Sequence, residues 1–291
     1  MVRVEVATPA MFEAIHPLLV MLDPGPSKEQ WRGLVVDYGW STEENCIGYV
    51  LVDGQEIVGF MGTLFSRRMV DGKEVKLCNS HSWVVKEGFR GHSLSLLVEV
   101  LRLKGYTITA LTARPEVGPV LEKMGFKVLD RNVRMFFPRP VLPRLARKDI
   151  PDISADRRVI GETLPAGDLK IFTDHSACSC GHVVVRDSHG HCYIAFSNRL
   201  QRKYGRKIPY SHIHYISNYD LFLRHLGRIN LYFLKIFGSW FLALDERLMR
   251  DRRVRFSGAH CLTTPRYYRG GVLAPDQIDN LYTEMVAWSL P

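Results

Sequence analysis

No stretch of this 291-residue chain is long and apolar enough to span a bilayer as a helix. Its first residues carry neither the basic stretch nor the continuous apolar segment of a secretory signal. Cysteine is sparse, six in all, which without such a signal points to reduced thiols and a cytoplasmic setting. Carboxylates are the minority charge: 30 Asp and Glu stand against 39 Lys and Arg, leaving a net charge of +9. That imbalance favours anionic partners. Charge alone fits the phosphates of a small co-substrate, nucleic acid or an anionic membrane surface equally. The basic residues fall in runs at 67–68, 144–148, 199–207 and 250–255, which also read as ordinary solvated faces. What is present in quantity is apolar, 46% of residues, against 24% charged, the balance of a soluble globular protein with room for one or two domains.

Taken in order, the pattern alternates between strand and helix. Residues 2–6 predict a strand and 9–22 a helix, with Thr8 as N-cap and Pro9 at the first helical position. Asp23-Pro24-Gly25-Pro26 breaks the chain, and 28–38 reads as helix with Trp31, Leu34 and Val35 on one side. Apolar runs at 47–52 and 56–65 flank Asp53-Gly54, a hairpin signal, and a second hairpin at Asp71-Gly72 leads into the next strand. Pro138, Pro140, Pro143 and Pro151, interleaved with Arg and Lys, mark a linker over 138–154. Ordered elements are expected to stop near 137 and resume near 155.

Residues 78–103 organise the first half. Alternation predicts a strand with His81, Trp83 and Val85 on one face and Ser80, Ser82 and Val84 on the other. A glycine-containing turn, Lys86 to Arg90, follows. From Ser93, Leu94, Leu97, Val98 and Leu101 recur at helical spacing. A strand passing through such a turn into a helix leaves the first helical N–H groups unpaired, an anion site that Arg90 would reinforce.

These residues resemble the GNAT superfamily of acyl-CoA-dependent N-acyltransferases, whose central strand leads through R/Q-x-x-G-x-G/A into a helix that cradles the pyrophosphate of coenzyme A. Arg90 falls on the basic position, while Ser93 and Ser95 replace the two glycines, keeping the backbone donors but adding a Cβ. Residues 107–113 resemble the next strand, and VGPVLEKMGF from Val117 resembles the following helix and its ending. The N-terminal VRVEVATPAMFEAIHPLL resembles the opening strand and helix, so the likeness spans residues 1–137. It implies an α/β fold with a mixed sheet and acetyl-CoA or another acyl-CoA as co-substrate. The cofactor would contact Val84, Val85, Arg90, Gly91, His92, Ser93, Leu94 and Ser95. The reaction implied is acyl transfer to an amine on a small molecule, sugar or protein, with no nucleic acid as partner. Such a transfer needs a base, and His81, on the strand expected beside the acyl group, is the candidate; a core histidine satisfied by a carbonyl is the plainer reading. Around Val84 and Val85 the backbone could offer an N–H to the oxyanion. Glu116 could bind a cationic acceptor, or simply be a solvated carboxylate at a helix start. The position where the family commonly has its tyrosine acid is Leu121. Ser93, Ser95 and Leu121 together also fit a non-catalytic acyl-CoA-binding or interaction module.

Beyond the linker the first half recurs in pattern. CIGYVLVDG from Cys46 compares with CGHVVVRDSHG from Cys180, and CNSHSWVV from Cys78 with PYSHIHYIS from Pro209. Two GNAT-like units in tandem, packed together, are expected: 1–137 binding acyl-CoA and 155–291 a degenerate copy without an Arg-Gly turn that completes the acceptor cleft. Residues 219–237 are apolar nearly all round and read as a helix buried between layers. Cys178, Cys180, His182, His189, His191 and Cys192 cluster on the predicted hairpin of the second half. Thiolate and imidazole suit zinc, and two ligands from each strand could meet across the pair. Buried cysteine is equally often just a small apolar residue.

Overall fold

The computed structural model describes residues 1–43, 45–138, 150–203, 205–249, 252 and 254–288. Pro140 and Pro143 of the expected linker lie outside the described residues. The elements run β1 (Val2–Ala7), α1 (Phe12–Leu22), α2 (Lys28–Val35), β2 (Gly48–Asp53), β3 (Glu56–Val70), β4 (Lys73–Val85), α3 (Ser93–Leu101), β5 (Tyr106–Ala110), α4 (Gly118–Lys123) and β6 (Lys127–Phe136). They continue with β7 (Asp152–Ser154), α5 (Arg157–Thr163), α6 (Ala166–Asp174), β8 (Gly181–Asp187), β9 (Gly190–Lys203) and β10 (Arg206–Ile216). The chain ends in α7 (Tyr219–Phe237), β11 (Leu242–Asp245), β12 (Ser257–Arg269) and α8 (Glu284–Ala287). The fold is mixed α/β, and no described helix is long and apolar enough to cross a membrane.

The chain divides into two compact units, and neither is a continuous stretch of sequence. The first comprises Met1–Leu129, Thr264–Ala274 and Tyr282–Trp288. Its sheet has the order β1-β2-β3-β4-β5-β12, antiparallel except for the parallel pair β4 and β5. Asp71 and Gly72 both adopt positive φ in the β3–β4 turn, the conformation a two-residue hairpin requires. One face of the sheet buries Met61, Phe65, Cys78, Ile108 and Ala110 with Leu96, Leu97 and Val100 of α3 and Leu121 of α4. The helices α1 and α2 are amphipathic and bury Phe12, Ile15, Leu18, Leu19, Trp31 and Leu34. A capping box starts α2: Ser27 Oγ accepts from the Gln30 N–H while Gln30 Oε1 accepts from the Ser27 N–H.

The second unit takes Asp130–Thr263 and Pro275–Leu281. Its strands follow the order β6-β11-β10-β9-β8-β7, again with a single parallel pair, β10 and β11. Val183, Val185, Cys192, Ile194 and Phe196 pack there against Phe222, Leu226, Ile229 and Phe233 of α7. The Asn218 side chain caps α7 by accepting from the Leu221 N–H, and Gly238 ends it at φ +67°. The expectation that 219–237 is buried all round is corrected: Leu234 and Ile236 are exposed, because only one stripe of α7 faces the sheet.

Candidate functional site

The site grows from β4. Lys76–Asn79 pair in parallel with Tyr106–Thr109 of β5, and there the ladder between these strands stops. Pairing with β3 on the other edge continues to Val85. From Ser80 onward the two parallel strands are no longer paired with each other, so the ladder opens along that edge of β4. Side chains close its foot: Ser80 Oγ donates to the Thr109 carbonyl at 3.0 Å, and Asn79 Nδ2 to Thr109 Oγ1 at 3.1 Å.

A bulge sits at this point. Gly62 lies opposite His81 and Phe60 opposite Val84, so Ser82 and Trp83 face Met61 alone. Ser82 takes φ +48° to accommodate the extra residue. The bulge overturns the simple alternation expected of this strand. His81 and Val84 now share a face with Gly62 and Phe60, while Trp83 and Val85 pack toward the α3 side.

His81 is buried flat against Gly62; a Cβ at residue 62 would lie 2.4 Å from its Cε1. Its Nδ1 is 2.9 Å from Ser82 Oγ, and its Nε2 has no hydrogen-bond partner. Burial pushes the imidazole pKa down to about 3. Burial thus favours the uncharged ring at neutral pH.

After β4 a 3₁₀ turn, Glu87–His92, runs directly into α3. The Ser93 N–H donates to the Arg90 carbonyl, so it is not the free helical donor expected there. Ser95 Oγ turns back to the His92 carbonyl at 2.6 Å. Arg90, Gly91 and His92 are exposed, as is Leu94, and a Cβ at Gly91 would meet nothing within 4 Å. The arginine thus stands at the surface of an uncrowded turn. Val84 is buried and Val85 half-buried, paired with Phe60 and Gly59.

Past β5, Glu116 is exposed, and Arg114 Nη2 donates to the Leu22 carbonyl at 2.9 Å. Leu121 is buried in the apolar core of the first unit. A phenol does lie near it, from far away in sequence. Tyr267 of β12 pairs with Ala110 of β5, and its hydroxyl donates to Glu122 Oε1 at 3.3 Å. A Cβ at Gly118 would come within 2.5 Å of that oxygen, so the phenol rests on the first turn of α4.

The last segment adds a carboxyl. The Glu284 N–H donates to Asn79 Oδ1 at 3.1 Å, and Thr112 Oγ1 donates to Glu284 Oε1 at 2.8 Å. Glu284 is 6% exposed and its Oε2 has no partner among the described residues. Burial raises its pKa, opposed by the Thr112 hydrogen bond and the Arg266 charge. Asn79 is two residues before His81 and on the same face of β4, ahead of the bulge. None of Asn79, Thr112, Tyr267 or Glu284 was among the sequence candidates.

The second unit repeats part of this geometry. β10 pairs with β11 through Ser211–Ile213, and its register shifts between Ile213 and Tyr215, as β4 shifts after His81. His212 Nε2 lies 3.0 Å from Asp245 Oδ1. Asp245 in turn accepts from Asn280 and from Arg247, which also pairs with Asp130. The cysteine and histidine cluster does not converge. His182 faces Tyr193 on one side of the hairpin, with Nδ1 2.8 Å from the phenol oxygen, whereas Cys192, opposite Val185, is sealed in the apolar core on the other. Among the described residues no three His, Cys, Asp or Glu gather as metal ligands.

No protein-family model and no curated protein matches the sequence. Solved structures match the fold. A probable N-acyltransferase of Enterococcus faecalis superimposes with a TM-score of 0.59 over 92% of this chain and 72% of that one, at 10% identity. GCN5-related N-acetyltransferases of Anabaena variabilis and Kribbella flavida each give 0.57 over 92% of this chain and 72% and 71% of theirs, at 11% and 12% identity. The chain has the GCN5-related N-acetyltransferase fold. At such identities the likeness is one of architecture, and site residues have to be argued from this chain's own atoms. In this GCN5-related fold, the parting of β4 from β5 and the helical turn at Arg90 belong to the same end of β4.

Proposed function

We propose that the protein transfers an acyl group from acyl-coenzyme A to an amine acceptor. The observation that carries the proposal is the parting of β4 and β5 beyond Asn79, within a GCN5-related fold and beside an exposed arginine turn. In this reading the pyrophosphate rests on the turn from Arg90 through Gly91, His92, Ser93, Leu94 and Ser95. The guanidinium supplies the charge and the open space at Gly91 the approach. The pantetheine arm enters the opening along Val84 and Val85, whose backbone stabilises the oxyanion. His81 stands beside the acyl carbon as a neutral hydrogen-bond partner through Nε2. Burial disfavours the charged imidazole, so the ring is a poor store for a proton taken from an alkylammonium. Glu116, exposed beyond β5, attracts a cationic acceptor. The second unit is read as a degenerate copy: it repeats the strand order and the bulge, but its helix start is capped by Asn218 and no arginine turn precedes it.

Incubation with acetyl-CoA and a panel of amines (a polyamine, an aminosugar, an amino-acid amide) tests the reaction. Free thiol and an amine heavier by one acetyl group are expected to appear together. Thiol without acylated amine, or neither product with any acyl-CoA, would contradict the proposal.

A further inference from the structure

The buried carboxyl of the C-terminal segment is only half matched. An ionisable side chain taken out of water costs free energy unless its polar atoms are matched. Glu284 is matched on one oxygen only: Thr112 Oγ1 donates to Oε1 at 2.8 Å, and Oε2 has nothing. Its backbone is held at the same time, by the 3.1 Å bond from its N–H to Asn79 Oδ1. Asn79 is itself tied to Thr109 Oγ1 at 3.1 Å, at the last rung of the β4–β5 ladder. The Glu284 backbone is therefore fixed beside the last rung of the β4–β5 ladder, and its carboxyl against Thr112 just past β5. Thr112, whose hydroxyl touches Oε1, is exposed, while Oε2 itself is buried without a partner among the described residues. The charge facing it is Arg266, which favours the ionised form against the burial that disfavours it.

We propose that Glu284 is a catalytic residue that binds the acceptor's ammonium group through Oε2 and takes its proton. This rests on the acyltransferase reading and names the base that the neutral His81 leaves vacant. The ionised carboxylate accepts one proton from the ammonium, freeing the nitrogen lone pair. That pair forms the C–N bond to the thioester carbonyl carbon; the C–S bond then breaks and its electrons leave on sulfur. The nitrogen loses a second proton as the amide forms. Of the two protons shed by nitrogen, one ends on the thiolate and the other passes to water. A primary or secondary amine with a protonated nitrogen is the acceptor class this arrangement takes, and an alcohol would leave Oε2 without a cation.

The test compares the full chain with Glu284→Gln, which keeps the side chain's shape and an oxygen for Thr112. Three readouts are taken: acetyl-CoA affinity, the thermal midpoint with and without each amine of the panel, and the pH profile of acetyl transfer. The inference predicts unchanged acetyl-CoA affinity and an unchanged midpoint without amine. It predicts loss of the amine-induced rise in midpoint and a fall of 10²–10⁴-fold in turnover. It also predicts that the wild type's acid limb, on which the rate rises with pH as Glu284 ionises, is absent from the variant. Thr112→Val, which leaves Oε1 unmatched, should displace that limb without abolishing turnover. Equal turnover and an unchanged acid limb in Glu284→Gln would overturn the inference. So would a wild-type chain that binds acetyl-CoA yet is neither stabilised by nor active on any amine. Absence of acetyl-CoA binding in the wild type would instead remove the underlying acyltransferase reading.

Discussion

Gly62 is a glycine because His81 occupies the space above it. A methyl there would press on Cε1 at 2.4 Å, Nε2 at 2.6 Å and Nδ1 at 2.9 Å, and the ring is buried and has little room to move. Gly62→Ala should cost about 1–3 kcal/mol by overpacking. The same change made on His81→Ala should cost far less, because the clash partner is gone. Equal costs in the two backgrounds, read from denaturant unfolding, would show that the ring does not lie where described. A second residue argues through pH. Asp187 Oδ2 accepts from His225 Nε2 at 2.8 Å and Arg224 Nη1 at 3.0 Å, and Oδ1 from the His189 N–H at 2.7 Å. Burial opposes its ionisation, but the hydrogen bonds from His225, the His189 backbone and Arg224 prevail and hold the carboxyl at about 2. Because the folded pKa lies below the unfolded one, the contribution is complete above about pH 4 and is lost as pH falls through ~2. Asp187→Asn should melt below the wild type near neutral pH, with the gap closing in strong acid. A gap independent of pH would contradict this account of Asp187.

Among the elements, those specified by neighbours in sequence were legible and those specified by distant ones were not. The hairpins at Asp53-Gly54 and Asp71-Gly72 follow from turn chemistry, and α3 and α7 from apolar spacing. The bulge in β4 was hidden, since residues 81–85 alternate without a break and only the register against β3 reveals the extra residue. In β12, Pro265 interrupts what would otherwise read as a strand, yet Tyr267–Arg269 pair with β5. The role of Glu284 was equally invisible, because the residue that holds it, Asn79, is 205 positions away. Register likewise decided against a converging metal cluster, by sending His182 and Cys192 to opposite faces. The bulge also has a measurable cost. Ser82 sits at φ +48°, where a β-branched side chain is disfavoured by about 1–2 kcal/mol. Ser82→Val should lower stability by about that amount and Ser82→Gly should not; a valine tolerated as well as glycine would rule out the bulged conformation.

At the scale of the molecule, the first unit borrows its last strand and its buried carboxyl from the far end of the chain. A fragment of residues 1–137 lacks Tyr267–Arg269 beside β5, Trp288, whose ring centroid is 4.3 Å from that of Trp31, and Glu284 over Asn79. An unpaired strand edge and an uncovered apolar ring invite aggregation. The fragment should be poorly soluble and melt without a cooperative transition, and a soluble, cooperatively melting fragment would contradict the division into units drawn here. The central claim is that the opening between β4 and β5 holds an acyl-CoA with its phosphates on the Arg90 turn. Calorimetric titration of acetyl-CoA into the full chain tests it most directly. One molecule should bind per chain, and Arg90→Glu should weaken binding at least tenfold, or roughly 1.4 kcal/mol. Equal affinity in wild type and variant, or an affinity that collapses with added salt as general charge attraction does, would contradict it.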